Sequence, residues 1–173
     1  MNGYITKKQK DNKQIIKSRY FPYNTKKYQP KNALALIGVG GNLGDLKRRF
    51  NKLFIYLKRD KFIKIVATSI IYKNPPFGYL EQPYFFNTAI LIETKLTPMQ
   101  LLKHLQRIEK HFGRKRLFKD APRTLDLDII FFEKMVINKI PTLIVPHPHW
   151  SKRESVTIPL NYLKGVKCLT RVL

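Results

Sequence analysis

Acidic residues are scarce in this chain of 173 residues: 11 Asp and Glu stand against 34 Lys and Arg, a formal charge of +23. Such a balance attracts polyanions, whether nucleic acid, lipid headgroup or nucleotide phosphate, and by itself does not choose among them. Cysteine is nearly absent. Cys168 stands alone, which excludes an intramolecular disulfide and any multi-cysteine metal cluster. Eight glycines and 11 prolines are too few for a collagen or a proline-rich linker protein. No apolar run approaches the roughly 20 residues that cross a bilayer. The N-terminal stretch is charged and polar from Lys7 onward and lacks the apolar segment of a secretory signal. A soluble cytoplasmic protein without a membrane partner is therefore expected, and one cysteine is compatible with that compartment.

What is present suffices for a core. Hydrophobic residues make up 43% of the chain and aromatics 12%, in a mass of 20.5 kDa that suits one domain. Residues 1–32 differ from the rest. They hold eight lysines and one arginine against one aspartate, together with Tyr4, Tyr20, Phe21, Tyr23 and Tyr28. Their apolar periodicity is poor and Pro22 and Pro30 interrupt it, so a basic N-terminal extension, mobile or loosely docked, is expected ahead of a domain at 33–173.

Within that domain the pattern is regular. Ala33 to Val39 is an apolar run ended by glycines, a buried strand. Leu46, Phe50, Leu53 and Leu57 recur at helical spacing behind Asp45, a candidate N-cap. Phe62 to Tyr72 and Phe85 to Ile92 suit strands, and Asn74-Pro-Pro-Phe-Gly78 between them must be irregular. Thr97-Pro-Met-Gln100 has the residues of a capped helix start, with Leu101, Leu105, Ile108 and Phe112 as the buried stripe and Gly113 as the stop. Leu125 to Phe132 is a further strand, with Met135 to Ile137 as its hairpin partner. The order strand, helix, strand, strand, helix, strand predicts an α+β fold, a split βαβ core with both helices on one face of an antiparallel sheet.

Asp126 and Asp128 carry the sharpest local signal. Two residues apart in a strand, their side chains leave the same face with Cα atoms about 6.6 Å apart, while Leu125, Leu127 and Ile129 point the other way. Carboxylates on an apolar strand need compensation, and Mg²⁺ is commonly held by one or two of them together with substrate phosphates. A pair of salt-bridged surface acids fits the spacing equally well. Arg114, Arg116 and Arg123 cluster between the second helix and this strand, where guanidinium groups suit phosphate. His147 is placed as a phosphate donor, whereas His149 reads as surface. The glycines at 38, 40, 41 and 44 spell neither a dinucleotide fingerprint nor a P-loop. Phe77, Tyr84, Phe85 and Phe86 around Asn87 could clamp a flat ring. A nucleic-acid-binding module also suits a split βαβ fold at +23, but its strands would need an aromatic and basic ladder that is missing here.

Ala121-Pro-Arg-Thr-Leu-Asp-Leu-Asp-Ile129 resembles the signature of the 6-hydroxymethyl-7,8-dihydropterin pyrophosphokinase family. Gly40-Gly-Asn-Leu-Gly-Asp45, Glu81-Gln-Pro-Tyr-Phe-Phe-Asn87, Gln106-Arg-Ile-Glu109, Gly113-Arg-Lys-Arg116 and Val145-Pro-His147 resemble further blocks in the same order. The resemblance implies a ferredoxin-like core in a three-layer αβα sandwich, with added C-terminal helical structure. It implies transfer of diphosphate from ATP to the pterin's hydroxymethyl oxygen with release of AMP. It also implies two Mg²⁺ ions on Asp126 and Asp128, with Arg114 and Arg123 clamping phosphates. ATP contacts carry over to Gln106, Glu109, Arg114, Arg116, Arg123, Ile129, His147 and Arg153. Pterin contacts carry over to Asn74, Pro75, Phe77, Phe85, Asn87 and Asp126. A monomer acting on small molecules, with no obligate nucleic acid, is expected. The chain departs from the family pattern at Gly41, Asn74, Asp120-Ala121 and Ser155, the last standing where an aromatic would cover the second face of the pterin.

Overall fold

The computed structural model describes residues 5–8, 12–26, 28–76, 80–115 and 121–173. Its elements are β1 (Ile5–Lys8), β2 (Gln14–Lys17), β3 (Tyr23–Asn24), β4 (Ala33–Gly41), α1 (Leu46–Lys58), β5 (Ile63–Thr68), β6 (Ile71–Asn74) and β7 (Phe85–Thr94). They continue with α2 (Pro98–His111), β8 (Asp126–Phe132), β9 (Ile137–Lys139), β10 (Leu143–Val145) and α3 (Glu154–Asn161). The apolar run at 33–41 becomes a central strand, paired on both edges and covered on both faces along its first half. β4 pairs antiparallel with β7 and β8, and the main sheet runs β1-β2-β6-β7-β4-β8. β5 pairs with the far half of β7, and β3 adds to β5. The fold is α+β.

The two helices start as their sequences dictate. Asp45 accepts from the Arg48 amide at 3.0 Å, and Thr97 and Gln100 form a reciprocal capping box ahead of Pro98. Their stripes, including Phe50, Leu53, Leu101, Leu105 and Ile108, share a core with Ile37, Val39, Leu127 and Ile129 on one face of the sheet. On the other face, Leu34, Leu36, Ile130 and Phe131 meet Leu160, Leu163 and Leu169 from α3 and the turns after it. That second layer ends partway along β4. Beyond it, the same sheet face is open. Among the described residues no helix is long and apolar enough to cross a membrane.

Three expectations meet a different arrangement. The stretch 62–72 divides into two strands at Ser69-Ile70, because the Ser69 hydroxyl takes the Ala89 amide at 2.9 Å and meets the Thr88 hydroxyl at 2.9 Å. Met135 to Ile137 does not return beside β8. Glu133 turns the chain at φ 45, and β9 pairs with β10 instead. The basic N-terminal segment, expected to be loosely docked, contributes strands in its described parts: β2 pairs with β6, and Phe21 is fully buried. Tyr20 stacks on Phe54 of α1 with centroids 4.4 Å apart, and Tyr23 meets the same ring at 5.1 Å. Tyr20 and Phe21 lie in a turn and Tyr23 in a two-residue strand, so no period reveals them.

A buried carboxylate fastens the end of this segment. Glu93 on β7 is 5% exposed and accepts from the Tyr28 hydroxyl, the Asn32 side chain, and the Lys31 and Asn32 amides at 3.1 and 2.8 Å. Burial alone would raise its pKa, but these hydrogen bonds outweigh it and lower the value. A folded-state pKa below the unfolded one stabilises fully above the unfolded value, and that contribution is lost as pH falls through the folded value. Glu93→Gln is expected to lose about 1–3 kcal/mol of unfolding free energy at neutral pH. It should also be less sensitive to acid than the parent, as denaturant titrations between neutral pH and pH 3 would show.

Candidate active site

On the open part of the sheet face lies a cavity of about 800 Å³. Its floor is made by an alternation in β4. Gly38 lies opposite Asp128, and Gly40 lies between Asn87 of β7 and Asp126 of β8. A Cβ at Gly40 would come within 3.0 Å of the Asn87 side-chain oxygen, and one at Gly38 within 3.0 Å of Ile130. Glycine at these two positions keeps the sheet bare where its neighbours carry polar groups.

The aspartates stand as their spacing predicts. Leu125, Leu127 and Ile129 are buried in the core, and Asp126 and Asp128 face the cavity. Asp126 is held by two arginines. Its Oδ2 pairs with Arg123 Nη1 at 3.0 Å, and its Oδ1 pairs with Arg114 Nη1. Arg114 is itself held by Glu109, a buried residue of α2 that also accepts the Leu127 amide at 2.7 Å. Burial raises the Glu109 pKa, and the Leu127 amide and Arg114 offset this only in part.

Asp128 has no such clamp. Its carboxylate reaches solvent through the cavity while protein surrounds its other sides. Desolvation, followed by the charges of Asp126 and Glu109, pushes its pKa up to about 7. Among the described residues no three His, Cys, Asp or Glu side chains form a metal cluster. Two carboxylates facing a roomy hollow nevertheless fit Mg²⁺, which binds few protein oxygens and keeps positions for water and phosphate.

Asn42, at the turn after β4, organises the loops around this pair. It is buried, accepts from the Arg123 amide at 2.8 Å, and donates its own amide to the Arg123 carbonyl at 2.9 Å. Its side-chain amide donates to Gln82 Oε1 at 2.9 Å and to the Pro83 carbonyl at 3.2 Å. The Arg123 guanidinium lies 5.4 Å from the centre of the Phe85 ring, linking the charged end of the cavity to its aromatic side. There, Asn87 donates to Asn74 Oδ1 at 2.7 Å.

Asn74, Pro75, Phe85, Asn87, Arg123, Asp126, Asp128, His147 and Arg153 all line one cavity. His147 has a lowered pKa, from burial first and then from the charge of Arg153. Its Nδ1, with Arg123 Nε and Thr124 Oγ1, is buried without a hydrogen-bond partner. Arg123 and His147 line the cavity, where a bound ligand or water satisfies such orphans. Arg114 reaches the pair from the rim, and Glu109 supports it from below. Gln106 lies half-buried on α2 and does not line the hollow, and the Ile129 side chain is in the core on the opposite face. Phe77 and Arg116 lie outside the described residues. Trp150 packs edge-on against Phe131 at 4.9 Å and is not among the lining residues. Lys13, Glu154 and the bare floor of Gly38 and Gly40 were not singled out as site residues from sequence. The alternation of glycines in an otherwise apolar strand was the signal for the floor. Nothing local marked the other two.

A family model described as 7,8-dihydro-6-hydroxymethylpterin-pyrophosphokinase matches residues 36–165. The chain is 41% identical over 150 residues to a 2-amino-4-hydroxy-6-hydroxymethyldihydropteridine pyrophosphokinase of Helicobacter pylori, covering 86% of this chain and 91% of that protein. The protein of the same name from Campylobacter jejuni is 42% identical over 87% of this chain and 96% of its own length. The one from Bacillus subtilis is 38% identical over 75% and 77%.

Asn42→Ala removes three side-chain hydrogen bonds and leaves the Arg123 amide without its acceptor. A loss of about 1–3 kcal/mol in unfolding free energy is expected, measurable by urea titration. A substitution within about 0.3 kcal/mol of the parent would show that the loops hold their places without it.

Proposed function

Because the chain belongs to the 7,8-dihydro-6-hydroxymethylpterin-pyrophosphokinase family, we propose that this cavity is where it takes ATP and the pterin together. The enzyme transfers a pyrophosphate group to the hydroxymethyl group of the dihydropterin, a step of folate biosynthesis. On this reading ATP is the donor and AMP the leaving product. The new bond joins the hydroxymethyl oxygen to the β-phosphorus as the bond from that phosphorus to the α,β-bridging oxygen breaks; that oxygen leaves with AMP, and the hydroxyl proton passes to solvent.

The juxtaposition of Asp126 and Asp128 with Arg123 and Arg114, beside Phe85, Asn74 and Asn87, supports this reading most directly. Asp126 and Asp128 would hold Mg²⁺, which when bound offsets phosphate charge and orients the transferred group. Arg114 and Arg123, now spent on Asp126, would turn to the phosphates as these arrive, with Glu109 keeping Arg114 within reach. His147 and Arg153 would contact ATP from the opposite wall, and Gln106 and the Ile129 backbone would border the adenosine. Phe85 would stack on the pterin, while Asn87 and Asn74 read its polar edge. Arg116 and Phe77 keep the roles that the family resemblance implies for them. No strong base is assigned: the rate comes from alignment, charge compensation and exclusion of water.

The architecture reads as a ferredoxin-like core, formed by β4, α1, β5 with β6, β7, α2 and β8, inside a three-layer αβα sandwich. The catalytic domain is 33–173, and the segment before it adds strands to its sheet. A product assay tests the reaction. With Mg²⁺, ATP and hydroxymethyl dihydropterin, AMP and not ADP should accumulate, and omission of the pterin should abolish it. Asp126→Asn and Asp128→Asn should each lower the rate by about 10²-fold or more. Formation of ADP, or full activity in both variants, would overturn the reading.

A further inference from the structure

The wall of the cavity formed by α3 is fixed in an unusual way. Arg153 stands at the N-cap of this helix and makes no side-chain capping bond to its first turn. The next residue supplies the attachment. Glu154 Oε2 receives Lys13 Nζ at 2.9 Å and the Tyr72 hydroxyl at 2.9 Å. Tyr72 is fully buried in β6, and Lys13 immediately precedes β2, the strand that pairs with β6. Three segments remote in sequence therefore converge on one carboxylate at the edge of the site. Lys13, Arg153 and Glu154 all line the cavity. Lys13 also lies outside the stretch 36–165 that the family model matches.

We infer that Lys13 is a positioning residue for the substrate site: through Glu154 it holds the first turn of α3, and with it Arg153, against the cavity. The inference rests on the proposed reading only for the part that Arg153 plays in binding ATP. The bond to Lys13, and after it that to Tyr72, lower the pKa of Glu154 below its ordinary value, as both contacts favour the carboxylate. With side chains 24% and 57% exposed, the ion pair contributes little to global stability. Its effect is local. Loss of the pair frees a helix turn that has no cap of its own, and a loosened turn presents Arg153 in several places instead of one.

Lys13→Met, Lys13→Arg, Glu154→Gln and the Lys13→Met/Glu154→Gln double variant test this with two readouts. Amide hydrogen exchange at Val156 and Thr157, whose amides bond the Arg153 carbonyl, should quicken by about three- to fivefold in Lys13→Met and Glu154→Gln, with the central strands unchanged. The KM for ATP should rise by a similar factor while kcat stays within about twofold, the pattern of lost binding rather than lost chemistry. Lys13→Arg should restore both values, and the double variant should be no worse than the more impaired single one, since both remove one interaction. Exchange and KM at parental values in Lys13→Met, or single effects that multiply in the double variant, would overturn the inference. A parent enzyme that forms no AMP would instead remove the proposed reaction, and the exchange data would still decide whether the clamp exists.

Discussion

Asp126 and Asp128 leave the same face of one strand and share one hollow, so each makes the other's charge more costly. The structure meets that cost unequally. Asp126 is neutralised by Arg114 and Arg123, which come from opposite ends of the segment between α2 and β8. Asp128 is left to the cavity, with its ionisation opposed by burial and by its acidic neighbours. A divalent cation and a polyphosphate would relieve both halves together. On the proposed reading the cation would serve the carboxylates, and the phosphates would offer the arginines a better partner than Asp126. The site would then carry counter-charges for its ligands that are provisionally paired with each other.

That exchange works only if the surrounding atoms hold their places. Glu109 grips Arg114 from beneath and takes the Leu127 amide, so a buried acid on α2 registers the helix against the strand that bears the aspartates. Asn42 does the same for Arg123, joining the turn after β4 to the chain before β8 and to the loop at Gln82 and Pro83. Gly38 and Gly40 keep the floor open between them. The hydrophobic layers beneath are ordinary by comparison, and their contribution is rigidity. The layer on the α3 side ends where the glycines begin, which is why a cavity exists on this face of the sheet.

Much of this was legible from the sequence because the physics was local. The capping residues of both helices, their apolar stripes and the alternation from Leu125 to Ile129 all follow from neighbours in the chain. The placement of Asn74, Phe85, Asn87, Arg123 and His147 around the aspartates was anticipated through ordered motifs, not through spacing. What escaped depends on contacts between remote residues. Tyr20, Phe21 and Tyr23 cover α1 from a turn and a two-residue strand without periodicity, so a basic segment expected to be mobile or loosely docked contributes strands in its described parts. Ser69 breaks a strand through its hydroxyl, which β-propensity does not register. Lys13 and Glu154 gain meaning only when β2 lies beside β6, a pairing across more than 50 residues.

On the proposed reading the two aspartates act as a cation-dependent phosphate site, and calorimetric titration with a non-cleavable ATP analogue measures that directly. With Mg²⁺ present the parent protein should bind the analogue at least about tenfold more tightly than in chelator, and Asp128→Asn should lose most of that difference. Equal affinity with and without Mg²⁺, or an undiminished Mg²⁺ effect in Asp128→Asn, would contradict it.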